Sequence, residues 1–180
     1  MEPGDVCASC KETRFNFRRN VSCFSRNEVT FGLIHRLKYN GEGWLARPLG
    51  KALAKIVERE GLNEGCAGFV PVPLHPVRER ERGYNQADLI AKELGKSFKL
   101  PVCRLLRRVI ATPKQTVLTR AQRKKNLKNA FVVQNDKKVS GKRWILVDDV
   151  FTTGSTLDEC ARMLRLAGAE DVNAITVCHA

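Results

Sequence analysis

Between Trp144 and Thr156 the chain reads Trp-Ile-Leu-Val-Asp-Asp-Val-Phe-Thr-Thr-Gly-Ser-Thr, and no other stretch constrains the fold as tightly. Trp144 to Val147 is a short apolar run of the kind that forms a buried strand, and Asp148 and Asp149 follow it directly. A turn of hydroxyls around one glycine comes next, and then a helical stripe of Leu157, Cys160, Ala161 and Leu164 that Gly168 ends. Val172 to Val177 reads as a further strand. Strand, helix and strand in this order predict a right-handed parallel βαβ unit.

In an open parallel sheet ligands sit at the carboxyl ends of the strands, and that is where this pattern puts Asp148 and Asp149. Thr152, Thr153, Gly154, Ser155 and Thr156 lead into a helix expected to start near Leu157. Hydroxyls, a glycine permitting close backbone approach and free N–H groups at a helix start together make an anion cradle suited to phosphate. Taken singly, the acidic pair also suits a turn, a cap or a magnesium-binding receiver domain, and the hydroxyl turn suits plain N-capping. Joined at this spacing they favour a ligand with both hydroxyl groups and a phosphate, as in a ribose 5-phosphate. A Walker-type loop and a dinucleotide fingerprint are excluded, because neither glycine pattern occurs.

Upstream, Phe31, Ile34 and Leu37 recur at helical spacing until Tyr39-Asn40-Gly41. A second helix begins near Trp44 with Leu45, Leu49, Ala52, Leu53 and Ile56 on one face. Phe69 to Leu74 is a strand that Pro71 and Pro73 confine to its end or to an edge. Ala87, Ile90, Ala91 and Leu94 predict a helix closed by Gly95; Leu100 to Leu106 and Phe131 to Val133 read as strands, and Lys137 to Gly141 as a turn. Residues 1–30 are polar and irregular, with strand character only at Asn20 to Phe24.

Of the 180 residues, 43% are hydrophobic and 28% charged, the balance of an ordinary globular domain. No apolar run is long enough to span a membrane, and Met1 to Asp5 lacks the start of a signal peptide, so a cytoplasmic chain without membrane insertion is expected. The seven cysteines, at 7, 10, 23, 66, 103, 160 and 178, suggest thiols rather than a disulfide framework. The net charge of +13 concentrates between Arg104 and Lys128, where no acidic residue interrupts the arginines and lysines. Such a field attracts polyanions, nucleic acid or phosphorylated ligand alike. The same segment has no Phe, Tyr or Trp to stack on bases, so base-specific reading is not supported there.

Val147 to Thr156 resembles the signature with which type I phosphoribosyltransferases bind phosphoribosyl pyrophosphate (PRPP). Val70-Pro71-Val72-Pro73-Leu74-His75, Arg78 to Gln86 and Gln115 to Phe131 narrow the likeness to the ComF family, also called amidophosphoribosyltransferase-like competence proteins. The likeness runs from about Phe31 to the C-terminus. It implies an α/β fold of the type I phosphoribosyltransferase kind, with a mostly parallel central sheet flanked by helices and a small N-terminal hood-like segment. The expected division is residues 1–30, a remnant of a zinc ribbon, and residues 31–180, the phosphoribosyltransferase-like domain.

By the same resemblance, Asp148 and Asp149 engage the ribose hydroxyls and Thr152, Thr153, Gly154, Ser155 and Thr156 hold the 5-phosphate. Val72, Pro73 and Leu74 match a pyrophosphate loop, often of unusual peptide geometry, with Arg78 and Arg82 close behind; a solvated strip paired with Glu79 and Glu81 is the bland alternative. Thr112 to Lys128 matches a loop that closes over PRPP, making Lys114, Arg120 and Arg123 candidates for charge neutralisation; a solvated basic face is the alternative. Mg2+ would come with the oxygens of PRPP. Cys7 and Cys10 have zinc-knuckle spacing, but Cys23 alone lies near them, so the ribbon is expected to be truncated and short of the four ligands that zinc needs. The implied reaction is phosphoribosyl transfer to an unknown nitrogen acceptor with release of pyrophosphate. The alternative is a non-catalytic PRPP-binding protein that assists single-stranded DNA uptake or use, alone, as a homodimer or with the uptake machinery.

Overall fold

The computed structural model describes residues 14–111 and 126–179. Its main sheet has four parallel strands in the order β1 (Asn20–Ser25), β6 (Asp171–His179), β5 (Arg143–Phe151) and β2 (Cys66–Pro71). Beyond β2, Phe69 forms a single parallel bridge with Val102. The expected α/β architecture with a mostly parallel sheet is present, and strands β5 and β6 pair directly across the connection made by α6 (Ser155–Leu166).

Alternation along β5 separates the two halves of the core. Trp144 and Leu146 join Leu157, Cys160, Ala161 and Leu164 of α6 on one face. Ile145 and Val147 face the helices α1 (Glu28–Tyr39), α2 (Ala46–Arg59) and α4 (Gln86–Phe98) on the other. A strand buried on both faces reads as an unbroken apolar run, and Trp144 to Val147 is one.

Several boundaries differ from the sequence reading, each for a local reason. Strand β5 continues through Asp148 and Asp149 to Phe151, because β6 keeps pairing with it as far as His179. Helix α1 starts at Glu28: Asn27 and Thr30 form a reciprocal capping box, which apolar periodicity does not register. Helix α4 runs past Gly95 to a left-handed cap at Lys99. Gly95 is kept for space, since a Cβ there would lie 2.9 Å from the Leu100 carbonyl oxygen. The strand expected over Leu100 to Leu106 is reduced to the bridge at Val102, and pairing resumes only in β3 (Leu106–Arg108). The charge-alternating Arg78 to Arg82 stretch lies in the short helix α3 (Pro76–Arg82), and Lys137 to Gly141 begins inside another, α5 (Asp136–Val139).

Residues 14–25 belong to the same packed unit. Phe17 is buried in the core, Arg18 N–H donates to the Val172 carbonyl, and β1 adds an edge strand to β6. On the α6 face, β3 and β4 (Phe131–Val133) form a two-stranded antiparallel ribbon. The Val109 N–H to Ala130 carbonyl bond of 2.8 Å closes its open end. Val109 and Ala130 are thereby held side by side. Among the described residues no helix is long and apolar enough to cross a membrane, and Cys23, Cys66, Cys103, Cys160 and Cys178 are free thiols.

Candidate functional site

The carboxyl ends of β5 and β2 lie side by side, and the Val72 N–H extends their pairing with a 2.9 Å bond to the Val147 carbonyl. Val72 to Leu74 is thereby set against Asp148 and Asp149. Asn85 fixes this arrangement from the far side. Its Nδ2 donates to the Val72 carbonyl at 2.9 Å, while its Oδ1 accepts from the Ala87 N–H and caps α4. Asn85→Ala leaves a buried carbonyl without its donor, costing about 1–3 kcal/mol, and removes a cap worth about 1 kcal/mol. Thermal unfolding is expected to show a midpoint lower by roughly 4–12 °C for this chain length. Asn85→Asp, which keeps only the cap, should lie between the two.

After Phe151 the chain turns through Thr152 and Thr153 to Gly154, whose φ of 74° is left-handed. Gly154 is the N-cap residue of α6 and has no side chain to bond the first-turn N–H groups. The helix thus starts two residues earlier than Leu157, inside the hydroxyl cluster itself. Thr153 Oγ1 and Ser155 Oγ lie 2.8 Å apart, so both hydroxyls gather at the helix start. An apolar floor supports the turn: Phe15 and Phe17 stack at 4.6 Å and both meet Phe151 edge-on, and Asn16 donates twice to Asp158 of α6 at 2.7 Å. Hydroxyls, a helix start whose N-cap has no side chain and a rigid base form a turn of a shape suited to an anion.

The two carboxylates have different surroundings, as neighbours on a strand must. Asp149 is buried on the α1 and α4 side, where Lys38 Nζ stands 2.7 Å from Oδ1 and Gln86 Nε2 donates to Oδ2. Gln86 accepts in turn from Arg82, whose guanidinium lies over the Tyr39 ring at 5.2 Å. Burial works against the Lys38 ammonium, but Asp149 and then Asp148 outweigh it and raise its pKa. Stripping one partner from a buried ion pair costs about 3–5 kcal/mol, whereas a hydrogen bond to a charged group returns about 1.5–3 kcal/mol. A neutral hydroxyl therefore does not displace Lys38 from Asp149.

Asp148 is half-buried on the opposite side and accepts the Asp149 N–H at 2.9 Å. Burial and then the charge of Asp149 push its pKa up to about 7, against the lowering effect of Lys38 and Arg108. Arg108, on β3, is held below the usual guanidinium range by burial and then by Arg78. Arg78 of α3 and Asp148 thus both act on Arg108. The opposite end of the sheet holds a cavity of about 310 Å³ lined by Arg18, Arg19, Arg143 and Asn173 among others, remote from both carboxylates.

A family model described as "Phosphoribosyl transferase domain" matches residues 81–180. Competence protein F of Haemophilus influenzae is 35% identical over 92% of this chain and 75% of its own length. DNA utilization protein YhgH of Escherichia coli K12 is 32% identical over 96% of this chain and 77% of its own. Competence protein ComFC of Bacillus subtilis is 27% identical over 96% of this chain and 71% of its own. The chain belongs to the ComF family.

In this ComF-family chain the structure gathers Asp148, Asp149, the Thr152 to Thr156 turn and the Val72 to Leu74 turn at one end of the sheet. Peptide bonds through Val72, Pro73 and Leu74 are trans. Arg78 stands near Arg108, while Arg82 is engaged with Gln86 and Tyr39. Lys114, Arg120 and Arg123 lie outside the described residues, as do Cys7 and Cys10. Sequence reasoning missed Lys38 and Arg108 altogether, and left Gln86 without a role. A helix-terminal lysine and a strand arginine carry no motif, and only the fold reveals what they meet.

Proposed function

We propose that this chain binds PRPP across the carboxyl ends of β5 and β2 and transfers its phosphoribosyl group to a nitrogen acceptor. The observation that carries the reading is the junction of β5 and α6. A half-open carboxylate, Asp148, is followed within a few residues by clustered hydroxyls on an uncapped helix start. The 5-phosphate takes the Thr152 to Thr156 turn, the ribose hydroxyls face the Asp148–Asp149 pair, and the pyrophosphate lies along Val72 to Leu74 with Arg78 nearby. Arg82 is linked to this end of the sheet through Gln86 and Asp149.

The acceptor nitrogen forms a bond to C1 of the ribose as the C1–oxygen bond breaks, and the bonding pair leaves on pyrophosphate. The acceptor's surplus proton goes to solvent. Positive charge develops on the ribosyl ring, and the carboxylates at the end of β5 favour it. Lys114, Arg120 and Arg123 belong, in this reading, to the loop that neutralises the leaving group. Mg2+ would come with PRPP, with few or no ligands from the protein, and would supply charge neutralisation on the pyrophosphate.

The curated relatives are named for competence and DNA utilization, which favours a second reading: PRPP binding without turnover, in a cytoplasmic chain that handles single-stranded DNA. Calorimetric titration with PRPP and Mg2+ tests what both share. Saturable binding is expected, and the absence of binding overturns both. Pyrophosphate release against a panel of bases and amines then separates them: release supports the transferase, and binding without release, with salt-dependent uptake of single-stranded DNA, supports the second.

A further inference from the structure

Both oxygens of Asp149 are engaged within the fold, Oδ1 by Lys38 and Oδ2 by Gln86. Lys38 is placed the other way round. An ammonium has three donors, and Asp149 is its one hydrogen-bonding or ion-pair partner among the described residues. The side chain is 22% exposed, so spare N–H donors remain at the carboxyl end of β5. Three contacts keep the end of α1 in this position. Besides the ion pair, Tyr84 Oη donates to the Leu37 carbonyl at 2.6 Å, and Arg82 covers the Tyr39 ring. The second oxygen of Asp149 leads through Gln86 to its neighbour Asn85, which donates to the Val72 carbonyl. The same carboxylate therefore ties Lys38 to the start of the Val72 to Leu74 turn.

We propose that Lys38 is a binding residue for the pyrophosphate half of the ligand, and that Asp149 acts as its positioning residue. The inference rests on the reading that this end of the sheet holds PRPP. A cation fixed by a buried carboxylate stands ready before the ligand arrives, and charge-assisted bonds from its spare donors to a phosphoryl oxygen are among the strongest available. Asp149 then contributes to the pyrophosphate half through Lys38.

Calorimetry in Mg2+ with PRPP, inorganic pyrophosphate and ribose 5-phosphate, on wild type and variants, tests this. Lys38→Met should weaken PRPP and pyrophosphate roughly tenfold or more, the size of one lost charge-assisted bond, with ribose 5-phosphate within about twofold of wild type. Lys38→Arg should recover part of the loss. Asp149→Asn should weaken the same two ligands, because Lys38 is no longer held. The double variant Lys38→Met with Asp149→Asn removes both charges, so it avoids a lone buried carboxylate, and it should bind PRPP as weakly as Lys38→Met. Wild-type PRPP affinity in the double variant would reduce Lys38 to a counter-ion and overturn the proposal. So would unchanged pyrophosphate binding by Lys38→Met while wild type binds PRPP well. A wild-type chain that binds no PRPP removes the underlying reading and the proposal with it.

Discussion

Gly154→Val is expected to abolish measurable PRPP binding and to lower the unfolding midpoint by roughly 5–15 °C, the shift that about 2–5 kcal/mol gives in a chain of this size. Two effects combine. The φ of 74° is left-handed, which costs an L-residue about 1–2 kcal/mol and a β-branched one more. Space is also lacking, since a Cβ at Gly154 would sit 2.8 Å from Phe15 Cε1 and 2.8 Å from Phe151 Cζ. Overpacking of this kind typically costs a further 1–3 kcal/mol or so. Neither ring can retreat easily, because Phe15 stacks on Phe17 and Phe151 stacks on His179. The turn must move instead, and with it the N–H groups and hydroxyls that form the anion cradle. Gly141→Ala is the control: its φ of 68° is also left-handed, but nothing lies within 4 Å of the added carbon. It should lose about 1 kcal/mol of stability and no PRPP affinity, measured by thermal unfolding and calorimetry on the same samples.

The same glycine shows which parts of the fold are legible in a sequence. Thr-Thr-Gly-Ser-Thr announces a turn at a helix start through local chemistry, and the structure places Gly154 and Ser155 at the start of α6. One of the two rings that crowd Gly154 belongs to Phe15, far away in the chain and in a stretch without periodicity. The apolar run from Trp144 to Val147 identifies a doubly covered strand because burial on both faces leaves no alternation. It does not mark the strand's end, because Asp148 and Asp149 look like a turn until β6 is seen to keep pairing beside them. The short helix α3 is hidden by alternating charges that mimic an exposed strip, although His75 and Pro76 begin it and Gly83 ends it in the standard way. Lys38 illustrates the remaining limit. Its role follows from a buried ion pair across the whole fold, and no spacing rule reaches so far.

Asp148→Asn is expected to move stability and binding in opposite directions. In the folded chain the Asp148 pKa is pushed up to about 7, whereas the ordinary value is 3.8. Between about pH 4 and pH 7 the folded state therefore holds a proton that the unfolded state has released. By linkage, folding stability falls as pH rises through that window and stays lower above it. The amide of the variant carries no charge at any pH, so the variant should match wild type near pH 4 and exceed it at pH 8. A shift of this size would correspond to about 4 kcal/mol, which screening at a half-open carboxyl reduces to about 1–2 kcal/mol, or roughly 2–8 °C in the unfolding midpoint. Binding should change the other way. An ionised carboxylate accepting a ribose hydroxyl is worth about 1.5–3 kcal/mol, so the amide should weaken PRPP by roughly 10- to 150-fold at pH 8. A variant that is no more stable than wild type at pH 8 would contradict the raised pKa, and one that binds PRPP normally would remove Asp148 from the ribose site. Opposite signs from a single isosteric change are difficult to obtain from a residue that only supports the fold. They are expected where a charge is retained in spite of its cost to folding, as the proposed ribose site requires.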